Sequence, residues 1–286
     1  MQLALGTVQF GLAYGIAGNT QAVPPQEVRA ILEDAANRGV RTLDTAAAYG
    51  DIEERLASLV GDLPFEIISK VPSIPDELTP EQAQAWALGS AQRSLDRLGA
   101  PLKGLMLHRA SDLQGDRGNL VTPALNEWCS RHGIAFGASC YEAGQAAQLA
   151  EGRGIRLTQL PGNAFDQRVA RAADALQDVD VHLRSAFLQG LLLMPLQQAQ
   201  SRLPAAAEIL TRWHQRCAAA DLHPLEAALG LVKSFQAVST VLVGVDNLAQ
   251  WRDIASAWAA TQALTWPDLA CQDPTIIDPR HWKTHS

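Results

Sequence analysis

The chain reads as a (β/α)8 barrel, the TIM-barrel class of α/β fold. Short β-branched or leucine-rich runs alternate with alanine-rich helical stretches, and eight such units can be traced. The 286 residues suit that number, since a barrel of this kind takes ~250 residues. No linker rich in Gly, Ser or Pro separates the units. A doubly wound sheet would also alternate, but eight near-equal units favour closure. Residues 1–286 are therefore read as one barrel domain, with 264–286 a C-terminal tail over or beside the barrel.

Leu3 to Leu5 is the first strand, ending at Gly6-Thr7. After a glycine-rich loop, Pro24-Pro25 starts a helix that runs to Arg38, and Gly39 stops it. Arg41 to Thr45 is the second strand, and the helix Glu53 to Val60 follows Asp51. Glu66 to Lys70 is the third strand. Thr79-Pro-Glu-Gln82 is a capping signature for a helix ending at Leu98. Gly104 to His108 is the fourth strand, and its helix runs from Asn119 to His132. Ala135 to Ser139, Leu157 to Leu160, Val179 to Ser185 and Thr240 to Val243 complete the strands. Their helices are expected at Glu142 to Glu151, Gln167 to Leu176, Pro204 to Ala220 with Pro224 to Gln236, and Leu248 to Ala263. The tail from Trp266 shows no periodicity and reads as a surface flap.

Composition narrows the function. Net charge is −7 and no long basic run exists, which argues against nucleic acid and anionic membrane as partners. The longest apolar run, near Leu188 to Pro195, is far too short to span a bilayer, and the N-terminus lacks the basic start of a signal peptide. Cys129, Cys140, Cys217 and Cys271 are scattered without zinc spacing, the pattern of a cytoplasmic protein with reduced thiols. No metal site is expected.

In such a barrel the C-terminal strand ends share one site. Strand two delivers Asp44 and, a turn later, Tyr49; strand three delivers Lys70; strand four delivers His108. Singly, Asp44 reads as a cap, Lys70 as a solvated lysine and His108 as a core histidine. Together they make chemical sense. A phenol with an ordinary pKa near ~10 is a slow acid at neutral pH. A nearby ammonium favours its anion. Asp44 can hold that ammonium in place, and His108 can orient a substrate oxygen. The set is a tuned general acid aimed at a carbonyl. It lacks a nucleophile and a metal cage, so the electrons must come from a hydride cofactor.

These residues resemble the aldo-keto reductase family. Asp44-Thr-Ala-Ala-Ala-Tyr-Gly50 matches its Asp-Thr-Ala-x-x-Tyr-Gly motif, and Lys70 and Leu107-His108 match its strand-three lysine and strand-four Leu-His. Leu5-Gly-Thr7, Gly137-Ala-Ser139, Gln159 with Asn163, Ser185 to Leu192 (SAFLQGLL), and Val243-Gly244 with Gln250 follow its later motifs as far as about Ala260. The resemblance implies an NAD(P)(H)-dependent oxidoreductase acting on a small aldehyde or ketone and its alcohol. Asp44, Tyr49, Lys70 and His108 would be catalytic. Gly6, Thr7, Val8, Asp44, Ser139, Gln159, Arg184, Ser185, Phe187, Leu188, Gly190, Val243, Gly244, Val245, Asn247 and Gln250 would bind the cofactor. Ser139 and Gln159 would hold its carboxamide, and backbone amides around Leu188 to Gly190, with the helix head at Gly244, its diphosphate. A second reading is a non-catalytic nicotinamide-binding sensor or partner-binding protein on the same fold; the intact tetrad disfavours it. A third, a cofactor-free lyase or isomerase barrel, is disfavoured by the cofactor-like loops.

The chain departs from the family pattern in four places. There is almost no room for an N-terminal hairpin before the first strand. Arg184 stands where an aromatic commonly stacks on the nicotinamide, and Cys140 replaces an asparagine, at a position expected near the mouth and open to oxidation. Asp246 occupies the place of a basic residue that meets the 2′-phosphate, which favours NAD(H) over NADP(H); Arg252 is the one basic residue nearby that could compensate. Substrate specificity is expected in Gln9 to Val23, Arg109 to Gly118 and Trp266 to Trp282, with Phe10, Tyr14, Trp266 and Trp282 as candidate walls or packing residues.

Overall fold

The structure is a computed structural model and describes residues 1–12 and 21–282. Eight parallel strands close into a barrel in sequence order. They are β1 Gln2–Gly6, β2 Thr42–Asp44, β3 Glu66–Val71, β4 Leu102–Leu107, β5 Ala135–Ser139, β6 Leu157–Pro161, β7 Asp180–Arg184 and β8 Thr240–Val243. Leu5 pairs with Val243 on one side and Leu43 on the other, so the first strand closes the ring. No hairpin precedes it among the described residues.

Around the barrel lie α1 Pro25–Asn37, α2 Ile52–Val60, α3 Pro80–Leu98, α4 Gly115–His132 and α5 Ala143–Arg153. After β7 come α6 Leu196–Arg202, α7 Ala207–Ala219 and α8 Pro224–Lys233, and after β8 comes α9 Leu248–Ala260. Local chemistry sets the ends. Thr79 Oγ1 accepts from Gln82 N at 3.3 Å while Gln82 Oε1 accepts from Thr79 N at 3.0 Å, a reciprocal cap on α3. None of the helices is long and apolar enough to cross a membrane, among the described residues.

Inside the barrel Ile68, Met106 and Leu157 form a small apolar plug. Gly104 makes room for it: a Cβ there would lie 2.6 Å from Ile68 Cδ1 and 2.8 Å from Leu157 Cδ2. Between barrel and helices runs the main core, built from residues such as Leu5, Ile31, Leu43, Leu105 and Trp251.

Three expectations are corrected. Residues 167–176 form two 3-10 turns, Arg168–Arg171 and Asp174–Leu176, in place of one helix. The bonds that form are short-range ones, Ala170 N to Gln167 O and Ala172 N to Val169 O at 3.1 Å each, the i→i−3 pattern of a 3-10 turn. Helix α4 starts at Gly115, before the expected Asn119. Two glycines there read as a turn, but Gly118 is needed for contact: a Cβ on it would lie 2.2 Å from the Leu113 carbonyl. The tail, finally, is core and not flap. Trp266, Leu269, Ile276 and Ile277 are buried with Phe165 and Trp213 in a second cluster beside β7 and its helices. Trp213 meets Phe165 and Trp266 edge-on at 6.4 and 5.8 Å.

Candidate active site

The turn after β2 is short, and Tyr49 N donates to Ala46 O at 3.0 Å within it. Gly50 follows at φ 69°, a conformation that glycine takes without strain. This turn brings Tyr49 back over the mouth of the barrel. Lys70 is the penultimate residue of β3, and His108 follows directly on β4. Lys70 Nζ lies 2.6 Å from Asp44 Oδ1 and donates to Thr45 O at 2.9 Å. Gln159 Nε2, from β6, donates to Asp44 Oδ2 at 2.8 Å. The two charged side chains are 1% and 6% exposed, so their contact and these hydrogen bonds offset the cost of taking both out of water. The ammonium sits 5.5 Å from the Tyr49 ring centroid, and the His108 ring meets the Tyr49 ring edge-on at 6.1 Å. The structure thus brings all four sequence-predicted residues into one cluster.

His108 is neutral in this setting. Burial, with the Lys70 ammonium and the Arg184 guanidinium adding and Asp44 opposing, pushes its pKa down to about 4. A neutral imidazole keeps one N–H donor and one acceptor nitrogen, as orientation of a carbonyl requires.

Beside the cluster opens a cavity of ≈ 580 Å³, within the ~300–1,000 Å³ of ligand pockets. Its wall includes Asp44 and Tyr49. Of the residues expected to bind cofactor, Gly6, Thr7, Val8, Gln159, Arg184, Ser185, Phe187, Gly190, Val243, Gly244 and Gln250 also line it. Ser139 does not line it but pairs in register with Gln159, which does. Leu188 and Val245 do not belong to the wall: both side chains are fully buried, one in the second core and one in the main core. Asn247 is taken up as the cap of α9, its Oδ1 accepting from Gln250 N at 2.9 Å.

The loop after β7 carries unusual backbone. Ser185, Leu188 and Gln189 have φ of 65°, 48° and 54°, followed by Gly190 at 91°. Left-handed conformations cost a non-glycine residue ~1–3 kcal/mol each and gather at functional loops. The expected anion donors shift within this loop. Leu188 N and Gly190 N are spent on Ser185 O and Phe187 O at 2.9 Å each, whereas no described residue accepts from Ala186 N or Phe187 N. At the head of α9, Leu248 N donates to Glu27 Oε1 at 2.7 Å, so a carboxylate of the protein already occupies that helix terminus.

Several wall residues escaped the sequence reading. Leu193, Met194, Gln198, His223 and Asp253 line the cavity, as does Gln9, expected only as the start of a specificity segment. Gln9 lies against Gly244, where a Cβ would fall 2.3 Å from its Oε1; that oxygen and Thr7 Oγ1 are buried without a hydrogen-bond partner among the described residues. His223 reads in sequence only as the residue before a helix-starting proline; it caps α8, its Nδ1 accepting from Leu225 N at 3.2 Å. Cys140 is a correction of the opposite kind. It is fully buried and its thiol is pushed up to about 11 by burial, so it is no exposed oxidation site. Phe10 and Trp266 are core residues, and Trp282 packs on the second core; Tyr14 lies outside the described residues. The Arg109 loop is tied down, the guanidinium pairing with Asp76 and Asp112 at 2.7 Å each.

Comparison with known proteins gives the same direction. The model of the Aldo/keto reductase family matches residues 2–113, which include Asp44, Tyr49, Lys70 and His108. No curated protein matches the chain. Among solved structures, the holo form of an aldo-keto reductase from Bacillus halodurans superposes with a TM-score of 0.72 at 18% identity, covering 92% of this chain and 88% of that one. A protein of Pseudomonas aeruginosa classed with the aldo-keto reductases gives 0.64 at 21% identity, with 90% and 89% covered. At such identities the likeness speaks for the fold.

The neutral His108 is open to measurement. Its ring protons, followed by NMR across pH, are expected to titrate near about 4, against an ordinary histidine near ~6.5. Between those values the unfolded chain binds the proton and the folded one does not, so stability falls as pH drops through that window. A midpoint near the ordinary value would contradict the packing described.

Proposed function

We propose, with the chain taken as a relative of the aldo-keto reductases, that it is an NAD(P)(H)-dependent oxidoreductase interconverting an aldehyde or ketone and its alcohol. The observation that carries this reading is the Tyr49–His108–Lys70–Asp44 cluster at the wall of a ligand-sized cavity. Tyr49 gives its phenolic proton to the carbonyl oxygen in reduction and takes it back in oxidation. Lys70 stands close enough to favour the phenolate that each reduction leaves behind. Asp44 and the Thr45 carbonyl keep Lys70 there. His108, neutral, donates a hydrogen bond that orients the carbonyl.

The remaining wall suits a nicotinamide dinucleotide. Thr7 Oγ1 and Gln9 Oε1 are buried polar atoms without partners among the described residues, the strained loop after β7 offers the Ala186 and Phe187 amides, and Gln159 stands against Asp44 at the centre. Ser139 and Gln159 would hold the carboxamide, and the amides of the loop after β7 the diphosphate. When bound, the cofactor supplies the hydride.

The electrostatics of the β8 side favour the unphosphorylated form. Asp246 and Asp253 line the cavity there, and Glu27 sits on the α9 terminus. Arg252 is turned to α1, its Nε 2.9 Å from Asp34 Oδ1. Among the described lining residues no lysine or arginine stands on this side, so a 2′-phosphate would meet carboxylates there, whereas a ribose hydroxyl can donate to them.

Two experiments follow. Tyr49→Phe is expected to cut kcat ~10²–10⁴-fold in reduction of a panel of aldehydes and ketones, with cofactor affinity kept, because the proton is needed only in the transition state. More than half the activity remaining would remove Tyr49 from the role. Titration with both reduced cofactors should give tighter NADH binding, and Asp246→Arg should move the preference toward NADPH. Tighter NADPH binding by the unmodified protein, or no gain in the variant, would refute the NAD(H) reading.

A further inference from the structure

Arg184 ends β7 and reaches into the cavity wall. Among the described lining residues it is the only lysine or arginine. Its guanidinium has five N–H donors. One makes a long bond, 3.4 Å, to Cys140 O, and the group lies 4.3 Å from the Tyr141 ring centroid; among the described residues no carboxylate pairs with it. The other cations of this corner are neutralised. Arg168 is paired with Asp166 at 2.7 Å and with Glu142, and Arg280, over the same tyrosine at 3.3 Å, with Asp278 at 2.5 Å. The tail thereby fixes Tyr141, and Tyr141 fixes the plane of Arg184.

The charge of Arg184 is felt at the reacting group: it is one of the causes that hold the His108 imidazole neutral. The carboxylates of the cavity do not cancel it. Asp44 is spent on Lys70, and Asp246 and Asp253 belong to the β8 side. A single guanidinium without a carboxylate partner among the described residues, in the same mouth as a carbonyl-orienting pair, matches a single negative charge on the substrate, in the planar form that its parallel N–H groups fit.

We infer that Arg184 is a specificity-determining residue that binds a carboxylate carried by the carbonyl substrate, so that oxo acids are the preferred substrate class. The inference rests on the oxidoreductase reading above. Cys140 and Tyr141, at the end of β5, place the guanidinium across the mouth from Tyr49 and His108. The carboxylate and the carbonyl of one molecule would therefore bridge the two sides.

The test compares acids with their own methyl esters: 4-formylbenzoate, and a series of aliphatic oxo acids of increasing length, with the preferred reduced cofactor. The readout is the ratio of kcat/KM for acid over ester. For the unmodified enzyme the ratio should exceed about tenfold for at least one chain length, set by the span between Arg184 and Tyr49. Arg184→Met should lower that ratio at least about tenfold, and Arg184→Lys should restore part of it. Damage to folding or to cofactor binding would lower both rates together and leave the ratio alone. Esters reduced as well as acids at every length, or an unaltered ratio in Arg184→Met, would overturn the inference and leave the oxidoreductase standing. Reduction of neither acids nor esters would overturn both.

Discussion

Two opposite charges meeting at 2.6 Å in the mouth of the barrel, Asp44 and Lys70, are the constraint on which this site depends. Neither could be buried alone: removing one partner of such a pair typically costs ~3–5 kcal/mol, because the other charge is left unpaired. Their contact joins β2 to β3, and Gln159 extends it to β6 across the barrel. Behind β3, the fully buried Glu53 accepts from Ser69, next to Lys70, and from Ser94 of α3, while Arg97 closes on it at 3.3 Å. The strand that carries the lysine is thus clamped on both faces. Tyr49 and His108 need only short connections to arrive beside an ammonium whose position is already set.

The rest of the wall divides by charge. On the β8 side Asp246, Asp253 and Glu27 collect negative charge around the start of α9, which suits a ribose hydroxyl and disfavours an added 2′-phosphate. On the β7 side Arg184 presents positive charge, backed by the tyrosine that the tail residue Arg280 covers. The tail contributes to this without touching the cavity, by burying Trp266, Leu269, Ile276 and Ile277 and so fixing where Arg280 lies.

What could be read in the sequence was what local pattern determines. Strand ends carrying Asp44, Lys70 and His108 are legible because each strand is a short apolar run cut off by a polar residue, and β5 and β8 fall at the expected residues. The Thr79–Gln82 cap is legible because both partners lie within one turn. Contacts between distant residues were not. Glu27 reaches Leu248, 221 positions away, and in sequence it is only a first-turn acid of α1. Glu53 looks like the same kind of acid and is instead a buried hub. The 3-10 turns after β6 are not legible because nothing in the local pattern separates their i→i−3 bonds from those of a helix, nor is the tail, whose apolar residues have no period until Trp213 is beside them. Cys140, expected near the mouth and open to oxidation, is buried because its exposure depends on the packing around β5, not on its neighbours in sequence.

The central claim is that Lys70 acts through Tyr49, and the pH–rate profile of Lys70→Met tests it most directly. A double variant, Asp44→Asn with Lys70→Met, serves beside it, since it removes both charges and leaves no unpaired carboxylate. Carbonyl reduction requires the protonated phenol, so its rate falls at high pH where that proton is lost. Without the ammonium the phenolate is less favoured, and the alkaline limb of kcat/KM should move to higher pH while the rate below it falls. A rate that falls with the limb unmoved in both variants would contradict the account and leave Lys70 with a structural role alone.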